Sequence, residues 1–197
     1  MVRTAPLTYG PLPTAILPTA HLRDVPGPRS ARSTIWDDAH IRTIRRRGVV
    51  MSAIRRAEVL WSGDLASGSG TVSAMSSGAF ESLPVSWAAR TESSDGKTSP
   101  EELVAAAHAS CFAMAFSGAL GRAGSPPQRL HVSAEVTFDK LEAGWRVVSS
   151  ALTVRGVVPG MSADDFVAAA EAAKDGCPIS QALKGNVELS VDATLEG

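Results

Sequence analysis

The stretch Thr98-Ser-Pro-Glu-Glu-Leu-Val-Ala-Ala-Ala-His-Ala-Ser-Cys111-Phe112 decides how the rest of this chain is read. It opens with a helix start. Ser99 can accept from the free amides of a first turn, Pro100 is pre-set for the first helical position, and Glu102 three residues after Ser99 completes a capping box. From Leu103 to Leu120 no residue is charged, and Ala, Leu, Val, Phe and Met occur all round the helix. Such a helix is expected in the middle of a fold, covered by a sheet or a second subunit. Its uncharged run also reaches the lower limit for a membrane span. His108 and the Ala-rich, weakly apolar character favour a core helix over a span, so no membrane association is expected.

Around this helix the sequence divides in two. Residues 1–48 hold eight arginines and three aspartates, a net of +5 against a total of -1 for the chain, and six of the twelve prolines fall before residue 29. No hydrophobic period is sustained there. The reading is a Pro/Arg-rich, disordered extension over 1–50 and a folded domain over 51–197. The Pro-broken run from Leu12 to Leu22 is too interrupted for a secretory apolar core, and a cytoplasmic protein is expected. Arg45-Arg46-Arg47 reads as part of a solvated tail, so no nucleic-acid partner is expected.

Beyond the extension, Ala57 to Trp61, Gly70 to Met75 and Val85 to Thr91 are short strand patterns separated by Gly/Ser turns. After the helix, Leu130, Val132, Ala134, Val136 and Phe138 alternate with polar residues, and Trp145 to Val158 forms a long partner strand. Ser162 with Asp165 opens a second helix that Gly176 ends, and Val187 to Leu195 alternates again. Period two with one apolar face means sheets with one covered side. The fold class is α+β, with antiparallel sheets around two principal helices.

Two cysteines 66 positions apart make neither a disulfide-dense scaffold nor a metal-ligand spacing. A redox pair, a catalytic thiol with a helper, or two inert buried cysteines remain open at this point. Cys177 precedes Pro178-Ile-Ser-Gln-Ala-Leu183, a short helical pattern, and so sits near a helix N-terminus that favours a thiolate. Cys111 lies in mid-helix and needs a cation or base nearby, since an unassisted thiol is only a few per cent ionised at neutral pH. His108 shares its helix face, but reads first as a satisfied core or interface histidine. Arg90, at the end of the third strand pattern, and Glu101 are charged candidates outside the uncharged run. Glu101 lies roughly 15 Å along the axis from Cys111 and on a different face. Trp61, Trp87 and Trp145 read as packing.

The run at 99–112, the later Gly-Cys-Pro-Ile-Ser-Gln-Ala-Leu at 176–183, and Arg90 eleven residues before Glu101 resemble the family of osmotically inducible protein C and organic hydroperoxide resistance proteins. The resemblance extends from about Ile54 to the C-terminus, and Glu-Glu-Leu with Ala-Ala-His is closer to the osmotically inducible branch. Ser99 departs from the family's usual asparagine, but is an equally good cap.

The resemblance implies an intertwined homodimer with sites at the interface, and a peroxidase that reduces organic hydroperoxides without haem, flavin or metal. Cys111 would be the peroxidatic thiol and Cys177 the resolving thiol. Arg90 and Glu101 would activate Cys111, within one subunit or across two. An external dithiol, of dihydrolipoyl type by the same resemblance, would recycle the Cys111–Cys177 disulfide. Phe112, Met114 and Phe116 are expected to line an apolar substrate pocket. A non-enzymatic thiol sensor or apolar-ligand binder on the same scaffold is the alternative. A general thiol–disulfide oxidoreductase is disfavoured by the lack of Cys-x-x-Cys.

Overall fold

The computed structural model describes residues 52–196; the extension over 1–50 and its boundary lie outside the described residues. The described chain runs β1 (Glu58–Ser62), β2 (Ser69–Ser73), β3 (Leu83–Ser86), α1 (Trp87–Thr91), α2 (Pro100–Arg122), β4 (Arg129–Leu141), β5 (Gly144–Val157), α3 (Ala163–Gly176), α4 (Pro178–Leu183) and β6 (Glu188–Leu195). The strands form two three-stranded sheets, β1-β2-β3 and β4-β5-β6. This is the α+β class read from the sequence.

Two elements differ from that reading. The segment expected as a strand through Thr91 leaves the sheet at Ser86, whose hydroxyl accepts from the Ala89 amide and caps the short helix α1. Trp-Ala-Ala-Arg follows a cap-forming serine, and once the cap forms a helical turn wins over extension. Arg90 therefore sits on a helix, not at a strand end. Strand β6 runs parallel to β5, whereas β4 pairs β5 antiparallel. Between β5 and β6 the chain crosses through α3 and α4, and a helical crossover returns a strand parallel to the one it left. Alternation alone reports which face is covered, not which way a strand points.

Helices α2 and α3 lie against the second sheet. Phe112, Phe116 and Leu120 of α2 meet Leu152 and Val154 of β5 and Phe166 and Ala170 of α3 in one buried cluster. Phe116 packs on Phe166 with ring centroids 5.1 Å apart and on Phe112 at 5.5 Å. The buried positions of α2 are Glu101, His108, Phe112, Phe116 and Leu120, one stripe down one side. Off that stripe the helix is partly buried or exposed in the single chain, and among its large hydrophobics Met114 is the most exposed at 70 %. Every residue of β1 is exposed, Leu60 by 72 %.

Gly156 is fixed by packing. A Cβ there would stand 2.6 Å from the Phe166 ring and 2.8 Å from Leu130, inside van der Waals contact of a fully buried aromatic. Gly156→Ala is expected to lower the unfolding free energy by about 1–3 kcal/mol, measured by urea denaturation at constant m-value.

Candidate active site

Arg90 and Glu101 are brought together by how α2 begins. Ser99 caps it through its hydroxyl, which accepts from the Glu102 amide at 3.1 Å. The Glu102 carboxylate turns to the Thr98 hydroxyl at 2.6 Å, so only one half of the expected reciprocal box forms. Thr98 also bridges to Val85, and its amide donates to the Pro84 carbonyl at 3.0 Å. That bridge pins the start of α2 beside β3 and α1. Arg90 then donates from Nε and Nη2 to the two Glu101 oxygens at 3.1 and 2.6 Å, a bidentate fork.

Aromatic rings hold the same guanidinium from the side. Its carbon lies 4.2 Å from the Phe138 centroid and 5.5 Å from that of Trp87. Phe138 stacks on Trp145 at 5.0 Å, and Trp87 meets Trp145 edge-on at 5.6 Å. A register shift between Thr137 and Phe138 marks the β4–β5 pairing where this cluster begins. The pair opens onto a cavity of about 410 Å³ whose lining includes Lys97, Glu102, Glu135 and Phe138. No cysteine lines it.

The two cysteines meet elsewhere. Cys111 projects from the middle of α2, and Cys177 sits between α3 and α4 as the N-cap residue of the latter. The thiols are close enough to perturb each other, and neither is in a disulfide. Cys177 is wholly buried; Cys111 is half-buried. Burial raises the Cys111 thiol above its ordinary pKa, and the neighbouring Cys177 adds to the rise despite an opposing contribution from the Ile179 amide. Burial also pushes Cys177 up, but the Ser180 amide, the Cys111 thiol, the Ser180 hydroxyl and the Ile179 amide outweigh it and bring Cys177 below the ordinary value. The sulfur of Cys177 makes no well-formed cap hydrogen bond; these groups act by proximity.

Within one chain, then, the structure joins Arg90 to Glu101 and Cys111 to Cys177, and does not join the two pairs. Phe112 and Phe116, expected as pocket walls, are fully buried core residues because they lie on the stripe facing the sheet. Met114 is on the opposite side and lines a cleft of about 320 Å³ between α2 and α3. Among the described residues no group of three or more His, Cys, Asp or Glu gathers as a metal site.

The sequence reading also left His108 without partners. Its ring is fully buried, with Nδ1 2.7 Å from Ser150 Oγ and Nε2 2.8 Å from Ser180 Oγ. Those serines lie 42 and 72 positions away, and no local spacing signals either of them. Burial lowers the His108 pKa, so the ring is held neutral. An unfolded chain protonates it near the ordinary value of about 6.5, while the folded chain resists until lower pH. Stability from this residue is thus complete above that value and is lost as pH falls below it. Unfolding free energy measured from pH 7.5 to 5.5 should fall on acidification, with a shallower fall in His108→Gln.

Two thiols meeting beside the buried core, and a forked pair that joins Arg90 of α1 to Glu101 at the start of the helix that carries Cys111, define a two-cysteine α+β domain. The chain belongs to the OsmC-like protein family, whose match covers residues 93–192. It is 41 % identical to Peroxiredoxin OsmC of Escherichia coli (strain K12) over 139 residues, which span 71 % of this chain and 96 % of that protein. It is 30 % identical over 109 residues to Organic hydroperoxide resistance protein OhrA of Bacillus subtilis (strain 168), spanning 52 % of this chain and 72 % of that one. In three dimensions it resembles the organic hydroperoxide resistance protein OhrB of Bacillus subtilis, with a TM-score of 0.55 at 21 % identity over 71 % of this chain and 98 % of that chain. The OsmC-like protein from Mycoplasma pneumoniae gives 0.58 at 14 % identity, covering 75 % of this chain and all of its own, 100 %. The fold is shared where sequence identity has largely gone.

Proposed function

We propose that this protein is a cysteine-based peroxidase that reduces organic hydroperoxides to alcohols. The observation that carries the reading is the approach of Cys111 and Cys177 across the α2–α4 contact, with unequal access to solvent. Peroxide can reach only the more exposed thiol, so Cys111 is the attacking group although Cys177 is the more acidic one. The relatives named peroxiredoxin and organic hydroperoxide resistance proteins support the substrate class.

The Cys111 thiolate attacks the terminal oxygen of ROOH. The O–O bond breaks, RO⁻ takes up a proton to leave as alcohol, and Cys111 becomes a sulfenic acid. Cys177 then attacks that sulfur; the S–O bond breaks, water is released and the Cys111–Cys177 disulfide forms. An external dithiol of dihydrolipoyl type returns both thiols and leaves as its own disulfide.

The cycle needs a Cys111 thiolate, which burial opposes. Arg90, locked by Glu101, is the charge suited to favour it and to donate to peroxide oxygen. Since this pair lies away from the cysteines of its own chain, the active form is read as an intertwined homodimer in which Arg90 and Glu101 of one subunit serve Cys111 of the other. The uncovered apolar residues on β1 and on the outer side of α2 support such a dimer. A cytoplasmic location, where thiols stay reduced, suits the cycle.

Purified protein with cumene hydroperoxide and dihydrolipoamide is expected to turn over many times per active site, faster than with hydrogen peroxide. One stoichiometric oxidation and no turnover under any dithiol would instead make the chain a thiol sensor or apolar-ligand binder.

A further inference from the structure

Among the described residues His108 is the one buried imidazole, and the cycle above leaves it without a task. It stands one helical turn before Cys111 on α2, but its ring is directed to Ser150 on β5 and Ser180 on α4. Ser180 stands three residues after Cys177, in the first turn of the helix that Cys177 caps, and its amide and hydroxyl both act to lower the Cys177 pKa. Ser150, His108 and Ser180 therefore form one hydrogen-bonded line that ends in the first turn of α4 beside Cys177, and all four residues are at 2 % exposure or less.

The hydrogens in this line can be counted. A neutral imidazole carries one N–H and one acceptor nitrogen, and each hydroxyl carries one hydrogen. If Nδ1 bears the proton it donates to Ser150; Ser180 must then donate to Nε2, and only its oxygen is left to face Cys177. That arrangement suits a thiol, whose S–H it accepts. If Nε2 bears the proton it donates to Ser180, while Ser150 donates to Nδ1, and the Ser180 hydrogen is free to point at sulfur. That arrangement suits a thiolate. Burial keeps the ring neutral, so these two tautomers are the states available.

We propose that His108 is a positioning residue for Cys177: held between Ser150 and Ser180, it switches tautomer to aim the Ser180 hydroxyl as a donor at the second sulfur and so presents that sulfur to Cys111 as a hydrogen-bonded thiolate. The proposal rests on Cys177 being the resolving thiol. In the resolving step the Cys177 thiolate forms the S–S bond, the S–O bond of the Cys111 sulfenic acid breaks, and the departing hydroxide takes the proton that Cys177 gave up, leaving as water. His108 touches none of the reacting atoms. Other titratable groups surround the line: Cys111 on α2, and Lys174, Asp175 and Lys184 about a cavity that Ser180 also lines. Lys174 is paired with Glu171 at 2.7 Å, Asp175 and Lys184 are exposed, and β5 brings Ser150 with the apolar Leu152 and Val154.

The test is a thiolate titration by ultraviolet absorbance in a Cys111→Ser background, where Cys177 is the single remaining cysteine. Ser180→Ala and His108→Leu are each expected to move the midpoint up by about one pH unit. The double variant should move it no further than the larger single effect, because both remove the same donor. His108→Gln, whose amide can donate to Ser180, should recover part of the shift. A histidine that only filled space would lower the melting temperature and leave the midpoint in place. An unmoved midpoint in His108→Leu, or fully additive shifts in the double variant, would overturn the proposal. If His108→Leu does not fold, Ser150→Ala decides: removing the donor to Nδ1 should also raise the midpoint, and a parent-like value overturns the proposal. No peroxide is used, so absence of peroxidase turnover would sink the proposed function while leaving this result standing.

Discussion

Cys111→Ser is expected to abolish turnover of cumene hydroperoxide, to below about one part in a thousand of the parent rate, with the fold and melting temperature retained. The magnitude follows from the chemistry. The hydroxyl is a much weaker nucleophile at neutral pH than a thiolate and cannot form a sulfenic acid, so no slower version of the same route remains. The position tolerates the change because Cys111 is only half-buried and packs at the rim of the core cluster. Cys177→Ser should behave differently. The first equivalent of peroxide is consumed at nearly the parent rate, a sulfenic acid accumulates and can be trapped by a dimedone-type reagent, and steady turnover falls by tenfold or more. Reversed behaviour, with Cys177→Ser silent to the first equivalent and Cys111→Ser still oxidised, would exchange the two roles. The geometry speaks against the exchange because Cys177 has no exposed surface, although it is the more acidic thiol. In the proposed cycle access decides which sulfur meets the peroxide, and acidity then serves the sulfur that attacks second.

Much of the architecture was legible because it rests on local chemistry. The start of α2 could be placed at Ser99 because a cap, a proline and two glutamates all act within one turn. The one-sided alternation of β4 and β6 survives in their burial. Illegible features depended on contacts distant in sequence. The direction of β6 is set by the helical crossover that precedes it, not by its own residues. Trp87 to Thr91 is a local exception: it reads as the end of the strand that begins at Val85, but Ser86 caps it and its two alanines and arginine favour a helical turn. Phe112 and Phe116 belong to the core because α2 buries one stripe, a choice invisible in a helix apolar on all sides. The partners of His108 lie on β5 and α4, and only the folded chain brings them to either side of the ring. For the candidate site, Arg90 and Glu101 stand out in the sequence as charges outside the uncharged run and are paired by the family resemblance; the folded chain adds the fork and the rings that hold it.

Arg90→Ala is expected to lower the rate of Cys111 oxidation by about tenfold to a hundredfold, the factor by which an unassisted thiol near pKa 8.5 is under-ionised at neutral pH. Arg90→Lys should restore little of it. Lysine keeps the charge but not the planar fork that spans both Glu101 oxygens, nor the face that rests 4.2 Å from the Phe138 ring. The decisive experiment mixes subunits. Within one chain Arg90 is held by Glu101 at the start of α2, roughly 15 Å along the axis from Cys111, and the cavity beside it contains no cysteine. If the site is completed across a two-fold interface, a heterodimer of Arg90→Ala and Cys111→Ser subunits regains one intact site of two. It should then show about half the parent rate per dimer, although each variant alone is nearly inactive. If Arg90 served Cys111 of its own chain, both sites of the heterodimer would be damaged and no recovery would appear. Separately tagged subunits purified in tandem read this directly, and the pH profile supplies a second arm. Loss of a nearby cation should move the acid limb of the Cys111 oxidation rate to higher pH in Arg90→Ala, and the composite dimer should return it to the parent position.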